Sequence, residues 1–328
     1  LESVIDHALA STSMLYGLER GDYDDSLLEL FEVDRRELPP IRDASSQAGV
    51  LNAKGSELTG LPVGVPVAVG TGDDFAAPLG AGIIRPGTAA VALGTGEVVG
   101  AVHLSAVIDS GDLVETHAYP SGGYFIENPG WLSGGSVAWL AQILALDSFT
   151  ELDALANAVP PGADGVIFLP ALTGAMAPEW VATARGCFYG LTPSHGRGHL
   201  ARAVLEGCAF AMRDVLDRLR QMGLSIDSLS LLGGGARSRV WAQIRADAVG
   251  LPATLPRQPH ACPLGAAMLA AVAGGAVESL STAAAAMAGP AETVEPDPRS
   301  GAALDQAYHR YRRLFGSLRP MFGSGSRG

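Results

Sequence analysis

The second half of the chain alternates short apolar segments with longer helical patterns. Residues 229–232 are a predicted strand that runs into three glycines, and a helix is predicted over residues 238–249. The sequence LPATLP then predicts another strand, and an alanine-rich helix is expected after Pro263. Because strands and helices that alternate along a chain pack as a sheet covered by helices, this succession predicts an α/β protein.

The rest of the chain carries further signals of local structure. Apolar positions at helical spacing predict a long helix over residues 199–222, shorter helices at 26–33 and 136–146, and a final helix over 303–318. Strands are expected at 65–69 and 165–169, and two strands within 89–103 read as a hairpin through Gly94-Thr95-Gly96. Residues 323–328, GSGSRG, are expected to form a flexible tail.

The composition of the chain excludes several classes of function. The 34 acidic and 22 basic residues give a net charge of −12, which argues against nucleic acid as a partner. Cys187, Cys208 and Cys262 lie far apart and form no CxxC pair, so we expect neither a disulfide framework nor structural zinc. We find no signal peptide and no membrane span in the sequence, and we expect a cytoplasmic protein.

The stretch VAVGTGDDF places two carboxylates, Asp73 and Asp74, directly after an apolar strand. Glycine and aspartate together are common in turns, and by itself the stretch favours that interpretation. The alternative is a ligand site, because α/β proteins bind their ligands at the carboxyl ends of strands. A helix of small residues is expected to begin at these two acids.

Two glycine turns follow apolar strands, in LGTGEVVG and LLGGGARS, and either could present backbone N–H groups to an anion. The first is close to a dinucleotide-binding motif, which would predict a helix after Glu97 and a ribose ligand such as Glu115. Val99 at the last glycine position argues for the hairpin instead. Lys54 is the only lysine and completes no P-loop, so phosphate binding would depend on backbone amides, a metal ion and arginine.

His195 and His199 are four residues apart in SHGRGHL, a spacing that could place both imidazoles on one helix face. Two glycines lie between them and the sequence offers no carboxylate ligand close by. Surface histidines are therefore the preferred interpretation.

Taken in order, these stretches resemble the FGGY family of carbohydrate kinases, most closely its xylulokinase branch. The second signature of that family is matched in full by GCFYGL at 186–191, seven further residues, HL at 199–200 and AVLE at 203–206. The stretches GTGDD, LGTG, SGGSVAWL, FLPALTG and LGGGARS follow in family order. The resemblance covers almost the whole chain.

The resemblance implies an actin-like ATPase (ribonuclease H-like) fold of two domains, with sugar and ATP meeting in the cleft between them. Residues 1–84 would be the C-terminal part of the sugar-binding domain, and residues 85–322 the nucleotide-binding domain. The first domain would be incomplete, since about the first third of a full kinase is absent. The implied reaction is ATP-dependent and Mg²⁺-dependent phosphorylation of a sugar hydroxyl, with D-xylulose as the leading substrate.

The resemblance also assigns roles to particular residues. Asp73 corresponds to the general base and Asp74 to a sugar contact. The remaining positions correspond to contacts with the phosphates or the adenosine of ATP: Gly94, Thr95, Gly96, Gly134, Gly234, Gly235 and Ala236. No residue of this chain is assigned as a metal ligand.

Two departures from the family pattern matter for function. The first phosphate loop, with an aspartate that helps to hold Mg²⁺, is not present in the chain, so a non-catalytic sugar- or nucleotide-binding module stays open as an alternative. Many xylulokinases read Gly-Glu-Arg-x-Pro where this chain reads GAMAP at 174–178, which leaves the sugar open between D-xylulose and another ketose or polyol. The expected partners are small molecules, and homodimerisation is left open.

Overall fold

The computed structural model describes residues 3–256, 261–289 and 291–323 of the 328-residue chain. Its strands are β1 Ile5–Asp6, β2 Tyr16–Gly17, β3 Asp22–Tyr23, β4 Ile41–Arg42, β5 Gln47–Val50, β6 Pro66–Ala68, β7 Gly87–Leu93, β8 Gly96–His103, β9 Glu115–Ala118, β10 Tyr124–Leu132, β11 Ile167–Leu169, β12 Cys187–Tyr189, β13 Ile226–Leu232, β14 Ala253–Pro256 and β15 Ala291–Val294. Its α-helices are α1 His7–Thr12, α2 Asp25–Leu30, α3 Ala53–Thr59, α4 Asp73–Gly80, α5 Gly134–Ile143, α6 Phe149–Asn157, α7 Arg197–Gln221, α8 Arg239–Val249, α9 Ala261–Ala273, α10 Leu280–Met287 and α11 Pro298–Leu318. Short 3₁₀ segments lie at Arg35–Glu37, Ala163–Gly165, Gly234–Arg237 and Arg319–Phe322.

A seven-stranded sheet in the order β15-β14-β13-β7-β8-β10-β9 organises the second half of the chain. Strands β14, β13 and β7 run parallel, and the pairs β7–β8, β8–β10, β10–β9 and β14–β15 are antiparallel. The strands of the first half pair only two at a time: β1 with β4, β2 with β3, and β5 with β6. The mixed sheet with its helices confirms the predicted α/β class.

Helices cover both faces of the main sheet. Along β7, Val91 packs in a core with residues of α7 and α8, whereas Ala90 packs on the opposite face in a core with residues of α4 and α9. This alternation follows from the two-residue period of a strand, which sends neighbouring side chains to opposite faces. A third core gathers around α7, β11 and α11.

The sequence correctly predicted the positions of several helices and strands. The hairpin of β7 and β8 is confirmed, α4 begins at Asp73 as expected, and the long predicted helix is α7. Within that helix Glu206, the acid of the family signature, is buried and accepts hydrogen bonds from Arg202 Nε at 2.6 Å and from the Gly162 amide at 2.9 Å. This carboxylate therefore ties α7 to the loop that precedes β11.

Other elements escaped the sequence analysis. Strand β10 was not expected because Glu127, Asn128 and a proline interrupt its apolar pattern, and the register with β8 shifts at that point. Helix α6 is short and is capped by Ser148, whose side chain accepts a hydrogen bond from the Glu151 amide. Helix α11 starts earlier than predicted because Asp297 caps it and a proline fits the first helical position.

The remaining expectations concern the chain as a whole. Residues 324–328 of the expected tail lie outside the described residues. The predicted domain boundary after residue 84 falls between α4 and β7 and stays a prediction. Within the three described ranges, no helix has both the length and the apolar character needed to cross a membrane.

A fully buried ion pair fastens the β7–β8 hairpin to α8. Arg245 donates to both carboxylate oxygens of Glu97, at 2.5 and 2.6 Å, and the side chains of both residues are inaccessible to solvent. The guanidinium also lies over the Trp241 ring, 4.4 Å from its centroid. Because each charge lies away from water, each depends on its partner for compensation.

We expect Arg245→Met to lower the free energy of unfolding by about 3–5 kcal/mol, because Glu97 would be left buried without its partner. Urea denaturation followed by circular dichroism measures the change. The double variant Glu97→Gln/Arg245→Met should recover part of the loss. The control Arg239→Met removes an arginine from an exposed ion pair with Glu292. It should lower the free energy of unfolding by less than about 1 kcal/mol. Equal stability of the Arg245→Met and Arg239→Met proteins would contradict this account.

Candidate active site

The two adjacent acids of VAVGTGDDF stand at the first turn of α4. Strand β6 ends at Ala68, the chain turns through Gly70 with φ 79°, and Gly72 precedes the first helical residue. The Thr71 hydroxyl donates to Asp6 Oδ2 at 2.8 Å, and this buried carboxylate also accepts two amides at the start of α1. Asp6 therefore holds the turn that leads into Asp73.

A cavity of about 180 Å³ lies between the start of α4 and the main sheet. Its walls come from α4, β7, β8, β10 and the start of α9. The residues that line it are Asp73, Asp74, Ala77, Pro78, Ala90, Ala92, Val98, Gly100, Phe125, Glu127 and Cys262. Three carboxyl groups thus share a small space whose other walls are mostly apolar.

Glu127 enters this cavity from the sheet. In the register of the strands it lies opposite Gly100 on β8 and opposite Glu115 on β9. A side chain at Gly100 would clash with Glu127 and Phe125, since an added Cβ would lie 2.7 Å from the Glu127 Cβ. The glycine therefore makes room for a carboxyl group on the face that α4 covers.

The carboxyl groups affect one another. Partial burial raises the pKa of Asp74, the adjacent charge of Asp73 raises it further, and His117 opposes both effects. Burial raises the pKa of Glu127 well above its ordinary value, with added contributions from Asp74 and Glu115. Buried carboxyls that face other acids are stabilised as neutral acids. The site thus favours a protonated Glu127.

His117 lies beside this group on the same face of the sheet. Its Nε2 is 3.4 Å from Glu115 Oε2 and 3.8 Å from Glu127 Oε1, and its ring packs edge-on against Phe75. Sequence analysis missed both His117 and Glu127, because β9 and β10 were not predicted as a pair. The alternation in YFIEN, which places one acid among apolar residues, is the signal that could have indicated Glu127.

The glycine turns predicted to bind phosphate come together at the end of β7. Gly94 and Gly96 close the hairpin through a 2.9 Å hydrogen bond, and the Gly135 amide donates to the Thr95 carbonyl at 2.9 Å. A Cβ on Gly134 would collide with the carbonyl oxygen of Gly94. The start of α5 is therefore packed directly against the hairpin.

The turn after β13 reaches the same place, because β13 pairs in parallel with β7. An added Cβ on Gly235 would lie 2.8 Å from the Leu93 Cβ, whereas one on Gly234 would meet nothing within 4 Å. Ala236 follows in the short 3₁₀ segment. All the residues predicted to contact ATP thus lie close together, beside the C-terminal ends of β7 and β13.

The start of α9 and the second half of α4 pack closely. A Cβ on Gly265 would collide with the Ala76 carbonyl, and one on Gly80 would collide with the Ala261 carbonyl. Glycine is required at both positions because the two backbones touch. This contact sets the position of α4, and hence of Asp73, relative to the sheet.

Three sequence hypotheses are resolved by the structure. The segment after Glu97 is part of strand β8, which overturns the dinucleotide-binding alternative because that motif requires a helix. Lys54 is exposed on α3, outside the cavity walls. Contrary to the sequence analysis, His199 does have a carboxylate nearby, since its Nε2 is 3.2 Å from Asp164 Oδ2.

The segment that departs from the family pattern lies beside the glycine hairpin. Gly174, Ala175 and Met176 line a second cavity of about 290 Å³, together with Gly96 and Trp131. Ala175 and Met176 thus add uncharged side chains to the wall of this cavity.

Family comparisons agree with this arrangement. The model of the FGGY carbohydrate kinase C-terminal domain matches residues 89–274, and that of the N-terminal domain matches residues 2–80. Solved structures of xylulose kinase from Rhodospirillum rubrum (32% identity, TM-score 0.86) and a xyloylose kinase from Brucella ovis (30%, 0.89) each superpose on 98% of this chain. They share its actin-like ATPase fold. The chain belongs to the FGGY family of carbohydrate kinases.

Curated relatives carry two different names. Glycerol kinase from Geobacter sp. (strain M21) is 35% identical over 284 residues, which are 84% of this chain and 56% of that protein. Xylulose kinase from Escherichia coli (strain K12) is 32% identical over 325 residues, which are 98% of this chain and 66% of that protein. The two solved structures are covered to 65% and 66% of their length. The chain thus spans between about half and two thirds of these relatives.

We expect Gly265→Ala to destabilise the protein by about 1–3 kcal/mol, because the new methyl group would force α4 and α9 apart. Thermal and urea unfolding measure the effect. The matched control is Gly316→Ala in α11, where an added Cβ meets nothing within 4 Å and should stabilise the helix by about 0.4–1 kcal/mol. A Gly265→Ala protein as stable as the control would show that the two helices are not in obligatory contact.

Proposed function

We propose that this protein takes part in the ATP-dependent phosphorylation of a hydroxyl group on an uncharged ketose or polyol, with Asp73 as the general base. The observation that carries the proposal is the position of the acid cavity. One of its lining residues is Ala92 on β7. The glycine hairpin begins two residues later in the chain, at Gly94. An acceptor hydroxyl beside Asp73 would therefore be close to phosphates held at that hairpin.

Phosphoryl transfer requires little covalent chemistry from the protein. Phosphoryl transfer depends on in-line positioning and charge stabilisation, together with a carboxylate that accepts the hydroxyl proton. Asp73 is solvent-accessible at the start of α4 and suits the role of proton acceptor. Asp74, whose pKa burial and the neighbouring charge of Asp73 raise, is suited to orient a second hydroxyl.

The glycine turns fit a polyphosphate. Gly234 is exposed and has open space on its side-chain face, so a ligand could approach its backbone closely. The helix α5 begins at Gly134, beside the hairpin, and helix N-termini favour anions. When bound, ATP supplies the phosphoryl group, and Mg²⁺ neutralises charge on its phosphates.

The described residues contain no group of three or more histidine, cysteine, aspartate or glutamate side chains placed to hold a metal ion. Magnesium in kinases is commonly held by one or two carboxylates together with substrate phosphates. In this chain we assign Mg²⁺ to the phosphates of ATP and to no protein residue.

D-Xylulose is the leading substrate in this proposal, and glycerol is the principal alternative. The E. coli xylulose kinase aligns with 98% of the chain, whereas the Geobacter glycerol kinase aligns with 84% at slightly higher identity. Three carboxyl groups in the cavity favour an uncharged polyhydroxy substrate over an anionic one. A cytoplasmic location and a homodimer stay predictions.

We expect Asp73→Asn to lower turnover by about 10²–10⁴-fold, because an amide cannot accept the hydroxyl proton. Coupled ADP release with D-xylulose, other ketoses, pentitols and glycerol measures the loss. The assay uses this chain and, where the gene encodes residues before Leu1, the longer product. Asp147→Asn, at an exposed aspartate, is the matched control and should retain full activity.

Two results would contradict this assignment. Retained turnover in Asp73→Asn would remove Asp73 from the role of base while leaving the kinase activity intact. Sugar or ATP binding by every protein without any ADP release would instead favour the non-catalytic binding module.

A further inference from the structure

The cavity beside Asp73 contains a buried polar atom that the proposed chemistry does not use. Glu127 is 6% exposed, and its Oε2 has no hydrogen-bond partner among the described residues. Its Oε1 lies 3.8 Å from His117 Nε2, which is beyond hydrogen-bond distance. A buried carboxyl oxygen without a partner is costly, so a native structure that keeps one calls for an explanation.

The position of Glu127 indicates that a ligand is the missing partner. Across the sheet, Ala90, Gly100 and Glu127 lie side by side on β7, β8 and β10 and face the start of α4. Neither Ala90 nor Gly100 carries a polar side chain. Among these three, only Glu127 can offer a hydrogen bond to a molecule in the cavity.

The surroundings of Glu127 favour its neutral form. The titratable groups that face it come from β9 and the turn after it, from α4 and from α9: Glu115, His117, Tyr119, Asp73, Asp74 and Cys262. His117 is the one base among them, and Glu115 Oε2 lies closer to its Nε2 than Glu127 does. A second ionised carboxyl beside Asp74 in a half-apolar space would be repelled. A neutral carboxylic acid, in contrast, both donates and accepts a hydrogen bond.

We propose that Glu127 is a substrate-binding residue: as a neutral acid it donates a hydrogen bond to a hydroxyl oxygen of an uncharged polyol or ketose in the cavity that it shares with Asp73 and Asp74. A carboxylate accepts hydroxyl hydrogens, which is the role proposed for Asp73 and Asp74, whereas a neutral Glu127 would bind a hydroxyl oxygen. The site would then offer both kinds of hydrogen-bond partner to a chain of hydroxyl groups. This inference rests on the proposed function.

The first test measures the protonation of Glu127 without a substrate. Infrared spectra of this chain at neutral pH should contain the carbonyl band of a protonated carboxylic acid that is absent from Glu127→Gln. Glu295→Gln, at an exposed glutamate on the surface, is the matched control and should leave the band unchanged. If spectra of the wild-type and Glu127→Gln proteins have the same protonated-acid band, Glu127 is ionised and the proposal is wrong.

The second test measures binding of D-xylulose, xylitol and glycerol by titration calorimetry. Glu127→Met keeps the approximate volume and removes the hydrogen-bonding group, and we expect it to weaken binding about 10-fold or more. Glu127→Gln keeps a donor and an acceptor and should bind within about threefold of the wild type. Circular dichroism spectra of Glu127→Met that match the wild type exclude a folding defect as the cause of the loss.

The outcomes separate this proposal from the kinase proposal. Equal binding by Glu127→Met and the wild type would overturn the role of Glu127 while the kinase assignment stands. Absence of binding of all three compounds to the wild type would overturn both the binding site and the uncharged substrate class.

Discussion

The contact between the backbones of α4 and α9 fixes the geometry of the candidate site. Gly80 and Gly265 each lie against a carbonyl group of the opposite helix, so no side chain separates the two helices there. Helix α4 lies in the part of the chain matched by the N-terminal family domain, and α9 in the part matched by the C-terminal one. The placement of Asp73 over the sheet therefore depends on a rigid backbone contact rather than on flexible side chains.

The cavity next to this contact and the glycine turns lie at different points along β7. At the α4 side, three carboxyl groups face one another, and burial raises the pKa of Asp74 and of Glu127. At the end of the same strand, the glycine hairpin and the start of α5 pack against each other. Under the proposed function, carboxyl groups at one end of the strand and phosphates held at the other would suit transfer of a phosphoryl group to a hydroxyl.

Local signals predicted the elements whose boundaries are set by nearby residues. The start of α4 at Asp73, the β7–β8 hairpin and helix α7 follow from glycine turns and periodicity, which act within a few residues. The pairing of β9 with β10 could not be predicted in this way, so His117 and Glu127 were missed. The Glu97–Arg245 ion pair joins residues 148 apart, and its burial arises only when the sheet and α8 pack together. The carboxyl cluster is likewise a product of tertiary packing.

Backbone contacts and side chains contribute differently to the candidate site. The glycine turns and the close contact of α4 with α9 set the backbone framework around Asp73 and Asp74. Side chains line the two cavities on this framework, Glu127 in one and Ala175 and Met176 in the other. Because Ala175 and Met176 bring no charged group to the second cavity, the proposed recognition of hydroxyl groups would depend on the carboxyl groups of the first. Under the proposed function, hydrogen bonds to Asp74 and Glu127, and not the fold, would decide which substrate binds.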